Sequence, residues 1–520
     1  RNHSHSHSHS HSRLHAPQIQ RHRLDFDFEK VCSVSLSHSN IYACLVCGKY
    51  FQGRGPKTYA YFHSIDEEHH VFIHLETAQV YVLPDNYLVE DASLADIQYQ
   101  LRLTFSPQQI AQFDAPEPCK SRDLHAQPYL PGFLGLNNIG RHDAMNVVIQ
   151  ALAHVPPLRN YFLQSGNGDA SASASDTLPQ STELVRRFAT LIRRLWNPRA
   201  FKSQVSPHEF LQEVTEASQG RFRLTEPCDP VEFLGWLLNR LHMDLVGSGS
   251  KARKQPSIIT ECFRGALRLE SQKVIVRTGL EDDDDLVVDK LDHDGRRAGG
   301  QQDEFGHAKF NIDKAIKVDQ VPFLLLAIDL PPLPVFQDVV ADNIIPQVPI
   351  AHLLAKYDGT TIQESHGLIR RHKITRLPPY LIIHFRRFTH NRFVDERNTT
   401  IVNFPPVGLQ LQDYVDAPEL NESPRLGSVY NLLANITHEA TAGTVRDQSV
   451  WRAQVHTRAQ REQWFQMQDL IVEPVNRQML FLGESYVQIW ERVHAAEDMA
   501  DSFTSLPAPQ PPKRERRPTA

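Results

Sequence analysis

Two closely spaced cysteines, Cys44-Leu-Val-Cys47, with His63 and His69 following, constrain the folding of this chain more than any other feature. A C-x-x-C on a tight turn can place two thiolates on one ion. Two histidines at this distance can be folded back by a small module to complete a Cys2His2 set, a common closed tetrahedral arrangement for structural zinc. Metal binding is coupled to folding, so a small unit gains much from such a staple. Cys32, His70 and His74 are alternate ligands, and the adjacent pair His69-His70 leaves the fourth ligand the least secure. The competing reading is two core cysteines with histidines on the surface. Six cysteines in 520 residues are too few for a disulfide scaffold, and a reducing compartment, cytosol or nucleus, is the natural expectation.

At this length two or three domains are expected. Hydrophobic residues at 41% and charged residues at 22% fit a soluble globular protein with ample material for a core. A net charge of −6 gives no support to broad nucleic-acid binding. No run approaches the roughly 18 apolar residues of a membrane span, and no signal peptide is visible. The chain starts at Arg1, not Met, so a leader upstream remains open.

The organisation expected is α+β. Residues 1–24 are a Ser/His-rich tail expected to be disordered. Residues 25–120 form a small unit with an alternating stretch around Val31–Leu36, strands at 71–75 and 80–83, and a helix over 92–105. A linker spans 121–131, and the large domain runs over 132–496. In it, helices are expected over 138–161, 182–196, 207–217 and 229–245. From Ser257 onward the pattern turns to strands, among them 263–269, 273–276, 323–329 and 381–385. Gly166–Ser175 and Glu281 to about Gly306 read as inserted loops, and 497–520 as a disordered basic tail.

Tyr42-Ala-Cys-Leu-Val-Cys-Gly48 and Gln52-Gly-Arg54, followed by spaced histidines, resemble the zinc finger found ahead of several ubiquitin-specific proteases. The resemblance implies a zinc ligand set of Cys44, Cys47, His63 and His69. Such fingers often hold further cysteines. Here Ser35 stands where a partner for Cys32 would lie and Gln52 precedes the Gly-Arg, so one zinc is expected rather than two or three. The resemblance also assigns Arg54 a role in holding a free ubiquitin C-terminus.

A cysteine hydrolase needs a thiolate, a histidine to carry its proton, a carboxylate or amide to orient that histidine, and an oxyanion donor. Gly135-Leu-Asn-Asn-Ile-Gly-Arg-His-Asp143-Ala-Met-Asn-Val-Val-Ile-Gln150 resembles the cysteine box of the ubiquitin-specific proteases, with Asp143 where the nucleophile belongs. A carboxylate, charged at neutral pH with an ordinary pKa near 3.9, is a far poorer acyl-transfer nucleophile. Ser449–Val455 is the counterpart of the histidine box and puts Val450 at the histidine position. Trp464–Asp469 resembles the segment with the orienting acid and puts Gln468 there, with Asp469 matching the second acid. Asn138 matches the oxyanion asparagine. His438 and His456 lie near enough in sequence for a rescued dyad to be imagined, but no other cysteine lies beside the box. Cys228–Leu234, Pro378–Phe388 and Glu484–Trp490 carry further family marks. Together these imply a papain-like thumb, palm and fingers. The fingers lack the cysteine pairs that hold zinc in many members.

Both domains resemble the spliceosomal, tri-snRNP-associated relatives of these proteases, through Leu83–Tyr87, Pro156–Phe162 and Ile401–Pro405 as well as the finger motif. That resemblance implies a nuclear, non-catalytic pre-mRNA splicing factor. It would help assemble or stabilise the U4/U6.U5 tri-snRNP through contacts with snRNP proteins. The alternatives are a reader with weak affinity for ubiquitin or a ubiquitin-like protein, and a residual deubiquitinase. Direct contact with RNA is left open, and no membrane partner is expected.

Overall fold

The computed structural model of the protein describes residues 18–117, 120–164, 182–247, 255–277, 309–312, 316–332, 345–365, 367–390, 395–416, 427–440, 449–458 and 463–493. The Ser-His tract, both expected insertions, Cys119 and the basic tail lie outside these residues.

The N-terminal unit is a five-stranded antiparallel sheet in the order β2-β1-β3-β4-β5. Its strands are β1 (Ile41–Cys44), β2 (Tyr50–Gln52), β3 (Val71–His74), β4 (Val80–Val82) and β5 (Tyr87–Val89), with helix α1 (Tyr59–Asp66) between β2 and β3. The alternating stretch Val31–Leu36 is a turn rather than a strand: Leu36 has φ 56° and its N–H donates to the Cys32 carbonyl. The helix expected over 92–105 shortens to α2 (Ala95–Leu101), preceded by a 3-10 turn that Asp91 caps. A further helix, α3 (Pro107–Gln112), is set by the Ser106/Gln109 capping box with proline at its first position.

The chain leaves the small unit earlier than expected. Leu103, Phe105 and Ile110 are buried in the core of the large domain, not with the finger sheet. The expected linker is an ordered hairpin of β6 (Ser121–Arg122) and β7 (Pro128–Tyr129). The Asp123 carboxylate closes its turn by accepting from the His125 and Gln127 N–H groups, and the Tyr129 hydroxyl donates to the Asn197 carbonyl.

The large domain opens with β8 (Gly135–Leu136), followed by α4 (Asp143–Ala153), α5 (Pro156–Gln164), α6 (Glu183–Leu195), β9 (Gln204–Val205), α7 (His208–Ala217), α8 (Pro230–Val246) and α9 (Ile258–Phe263). The single helix expected over 138–161 is therefore two. Pro156 and Pro157 have no N–H to continue α4 and instead begin α5. Met145, Val148, Ile149 and Leu152 are buried as their spacing requires, but so is the other side of α4, which packs against both helices and sheet. The first element after Ser257 is a helix, α9, because Ser257 and Thr260 form a capping box.

Two sheets complete the body. The first has β10 (Gly265–Arg277) at its centre, flanked by β11 (Lys309–Ile312), β12 (Lys317–Phe323), β16 (Leu368–Arg376) and β15 (Gln363–Ser365). The second is eight-stranded, in the order β13-β17-β26-β22-β23-β24-β25 with β21 on β22. Its strands are β13 (Leu326–Asp329), β17 (Tyr380–Arg386), β21 (Leu409–Gln410), β22 (Val429–Ala440), β23 (Ser449–His456), β24 (Trp464–Gln468), β25 (Ile471–Val475) and β26 (Glu484–Arg492). Two small pairs stand apart from both sheets, β14 (Gln347–Pro349) with β20 (Ile401–Asn403) and β18 (Phe388–His390) with β19 (Asp395–Arg397). The single strand expected over 323–329 is split at Leu324-Leu325 between the two sheets. No helix among the described residues is long and apolar enough to cross a membrane.

Residues 25–29 tie the two units together. Arg194 on α6 donates to the Phe26 carbonyl at 2.6 Å and pairs with Asp27 at 3.3 Å and Glu209 at 3.1 Å. Lys202 pairs with Asp25 at 2.5 Å, and the Ser206 N–H donates to Asp27 at 3.2 Å.

Candidate functional site

The first site lies where the turn after β1 meets α1. One ligand atom from each of Cys44, Cys47, His63 and His69 falls within 4.8 Å of all the others. The β1–β2 turn supplies both sulfurs, and α1 presents His63 from its inward side. His63 Nε2 lies 3.4 Å from Cys47 Sγ and 3.1 Å from His69 Nδ1. Tetrahedral zinc with ordinary bond lengths separates sulfur from nitrogen by about 3.6 Å and two nitrogens by about 3.3 Å, so the donor set fits one zinc ion. Between themselves the two thiols are linked in their ionisation. The hydrogen bond between the two sulfurs lowers Cys47 and pushes Cys44 up. A zinc ion would displace the thiol protons. The His63 ring stacks on Phe51 with centroids 4.2 Å apart, which sets its plane.

The alternates lie elsewhere. His74 is buried against Tyr42 with Nδ1 3.0 Å from the Thr77 hydroxyl, and His70 Nδ1 faces the Leu83 carbonyl at 2.9 Å. Cys32 is buried with Sγ accepting from the Ser35 and Gln52 N–H groups, while the Ser35 hydroxyl donates to the Gln52 amide. The positions where related fingers hold more cysteines thus converge here as a hydrogen-bonded trio. Arg54 lies 3.9 Å above the Tyr81 ring and donates to Asn86 at 2.6 Å.

The second site is at the N-terminus of α4. Asp143 is half-buried, and its Oδ2 accepts from the Trp451 N–H of β23 at 3.3 Å. Asn138 is held at both ends of its amide. Its amide nitrogen donates to Asp469 at 3.1 Å and its oxygen accepts from the His142 N–H at 3.4 Å. Asn146 donates to the other Asp469 oxygen at 2.8 Å, and His142 Nε2 accepts from the Ile139 N–H. Asp469 can reach both asparagines because the chain comes very close there. A Cβ on Gly135 would sit 2.7 Å from the Leu470 backbone, and the Leu136 N–H donates to the Asp469 carbonyl. His142 and Asn146 escaped the sequence reading, although they lie four residues apart at the start of a helix, the spacing that brings two side chains together.

The expected triad positions are not brought into a relay. Val450 is aliphatic, and the Gln468 amide oxygen accepts from Arg452 at 2.9 Å, with Arg452 also paired to Glu439. His456 packs against Trp464 with the rings tilted by 49°. The buried His438 packs on Trp451 with Nδ1 3.6 Å from Glu484. Cys228, distant in sequence from the box, does come within the field of Asp143. Burial first, then Asp229 and Asp143, push its thiol up to about 12, which leaves it protonated at neutral pH.

Burial also raises the Asp143 carboxyl above its ordinary 3.8, against the pull of the Trp451 N–H. A carboxyl that is harder to ionise folded than unfolded destabilises the fold above the unfolded pKa and is neutral in effect below it. Asp143→Asn, which keeps an acceptor for Trp451, is therefore expected to raise the melting temperature at pH 7. The gain should vanish as pH falls below about 4; thermal melts across that range check it, and a loss at pH 7 would refute it.

Residues 134–490 match the family described as ubiquitin carboxyl-terminal hydrolase, and 32–94 the zinc finger in ubiquitin-hydrolases and other proteins. A probable mRNA-splicing protein, ubp10, of Schizosaccharomyces pombe is 44% identical over 91% of this chain and 87% of its own. Human ubiquitin carboxyl-terminal hydrolase 39 is 42% identical over 91% and 79%. The pre-mRNA-splicing factor SAD1 of Saccharomyces cerevisiae is 29% identical over 91% and 92%. The crystal structure of an essential yeast splicing factor superposes with a TM-score of 0.67 at 28% identity, covering 92% of this chain and all of the other.

Proposed function

Since the chain belongs to the ubiquitin carboxyl-terminal hydrolase family, with that family's zinc finger ahead of the hydrolase body, we propose that it is a non-catalytic splicing factor. It acts in the nucleus as a scaffold, through protein contacts that help assemble or hold the U4/U6.U5 tri-snRNP. Cys44, Cys47, His63 and His69 hold its one structural zinc.

The observation that carries the loss of catalysis is the site at Asp143. A carboxylate bonded to the Trp451 N–H stands where a thiolate is needed. Val450 offers no imidazole, and Gln468 is engaged by Arg452. Asn138 donates one amide N–H to Asp469, which ties two chain segments together. The splicing role rests on relatives named for mRNA splicing that align over 91% of the chain.

Hydrolysis of a fluorogenic ubiquitin substrate tests the first part. The pure chain is expected to show background turnover, and so is Asp143→Cys, because a thiol without a base gains little at neutral pH. Turnover abolished by a ubiquitin-based active-site probe would overturn the reading. Affinity purification from nuclear extract tests the second part. Spliceosomal snRNP proteins should be enriched, and recovery of ubiquitin conjugates alone would count against it. A reader role receives less support, because the Arg54 guanidinium is engaged by Tyr81 and Asn86. Ubiquitin titration followed by NMR should leave Arg54 and its neighbours unshifted.

A further inference from the structure

The outer side of α1 carries an apolar stripe that the fold leaves uncovered. Tyr59, Phe62 and Ile65 lie three residues apart, so they share one side of the helix, with 41%, 47% and 50% of their surfaces exposed. The inner side carries Ala60 and Ser64 into the finger, and His63 into the metal centre. The Phe62 ring meets Tyr61 edge-on at 6.1 Å.

Three exposed carboxylates, Asp66, Glu67 and Glu68, close the helix at its C-terminal end. Among the described residues none of them has a cation partner. The helix dipole places partial negative charge at that end, where acidic side chains are unfavourable and basic ones are normally found. The run adjoins the apolar stripe, so the two together form a surface whose charge complements an apolar face edged with cations.

We propose that this side of α1 docks a basic amphipathic helix of a partner protein. The apolar side of that helix lies on Tyr59, Phe62 and Ile65, and its Lys/Arg rim meets Asp66, Glu67 and Glu68. Such a helix reads a groove or stripe through residues at i, i+3 and i+4, and complementary charge sets its direction and its rate of encounter. The zinc staple gives the surface its rigidity, because His63 pins α1 to the β1–β2 turn. The proposal does not depend on the splicing reading, and either can fail without the other.

The test uses the full-length, zinc-loaded chain and a synthetic leucine–lysine peptide of about 15 residues patterned as an amphipathic helix, with a leucine–glutamate peptide as control. The basic peptide should shift the Ile65 methyl signal and bind more weakly as salt rises. Phe62→Glu, and separately the combined Asp66→Asn, Glu67→Gln and Glu68→Gln variant, should each weaken it at least tenfold with unchanged zinc content. If Phe62→Glu loses zinc, the charge-neutralised variant decides alone. Absence of binding, shifts confined to other parts of the chain, equal binding of the acidic peptide, or a dimer in sedimentation that Phe62→Glu dissolves would each overturn the proposal.

Discussion

Cys47→Ser is expected to empty the metal centre and unfold the N-terminal unit, taking zinc content from one ion per chain to none. Structural zinc in small fingers contributes about 10–16 kcal/mol of binding free energy that is also folding free energy, while whole domains are stable by only about 5–15 kcal/mol. The finger has two small buried clusters, and the one around Tyr42, Cys44, Phe51 and Phe72 packs on the ligands themselves. Without the ion, the buried Cys44 and half-buried Cys47 would be left with His63 and His69 converging on nothing. Metal analysis with a chromophoric chelator and limited proteolysis of residues 32–94 measure the two parts of the effect. The same outcome should follow from Cys44→Ser, His63→Ala or His69→Ala. Cys32→Ser and His74→Ala should keep the metal, since both side chains hydrogen-bond elsewhere. Retention of zinc by Cys47→Ser, or its loss from Cys32→Ser, would refute the ligand set. Zinc should also leave as pH falls, because protons compete for thiolate and imidazole.

Arg194→Met is expected to cost about 3–5 kcal/mol, the usual penalty for removing one partner of a buried ion pair. The loss would leave Asp27 and Glu209 facing each other inside the junction and the Phe26 carbonyl without its donor. Burial, the largest influence on Asp27, already raises its carboxyl above 3.8, and Arg194 opposes that shift. Without Arg194 the carboxyl rises further. A raised carboxyl destabilises above its unfolded pKa and ceases to do so once protonated. The deficit of Arg194→Met should therefore be largest near neutral pH and shrink as pH falls toward the carboxylate range. Asp27→Asn added to Arg194→Met should recover part of the loss at pH 7. Urea midpoints of the three chains at pH 7 and pH 5 check this, and a deficit independent of both pH and Asp27 would refute the charge account. The junction also explains why the finger is held to the body by more than the chain connection: residues 25–29 lie across α6 and the start of α7.

Helices α6, α7 and α8 were legible almost to the residue. Their apolar spacing is long, and side chains that can cap a helix, Thr182 and Asp229, stand at two of the starts. Short elements were not. Residues 258–263 offer too few turns for a period to show, and the capping box that makes them a helix lies within a stretch rich in β-branched residues. The break at Leu324-Leu325 is invisible in an apolar run, because it depends on which of two sheets each half joins.

The aspartate at position 143, the aliphatic residue at 450, the amide at 468 and the four zinc-ligand candidates are all matters of residue identity. Order along the chain was enough to place them in a hydrolase body and a finger. What needed the folded chain was the choice of His69 over its neighbour His70, and of Cys228 as the thiol that approaches Asp143. The same holds for pairings across hundreds of residues, Asp469 with Asn138 and Asn146, and Arg194 with Asp27. Chemistry is carried by side-chain type, which the chain spells out. Distance and burial are set by how the backbone returns on itself, and a linear order of residues does not contain them.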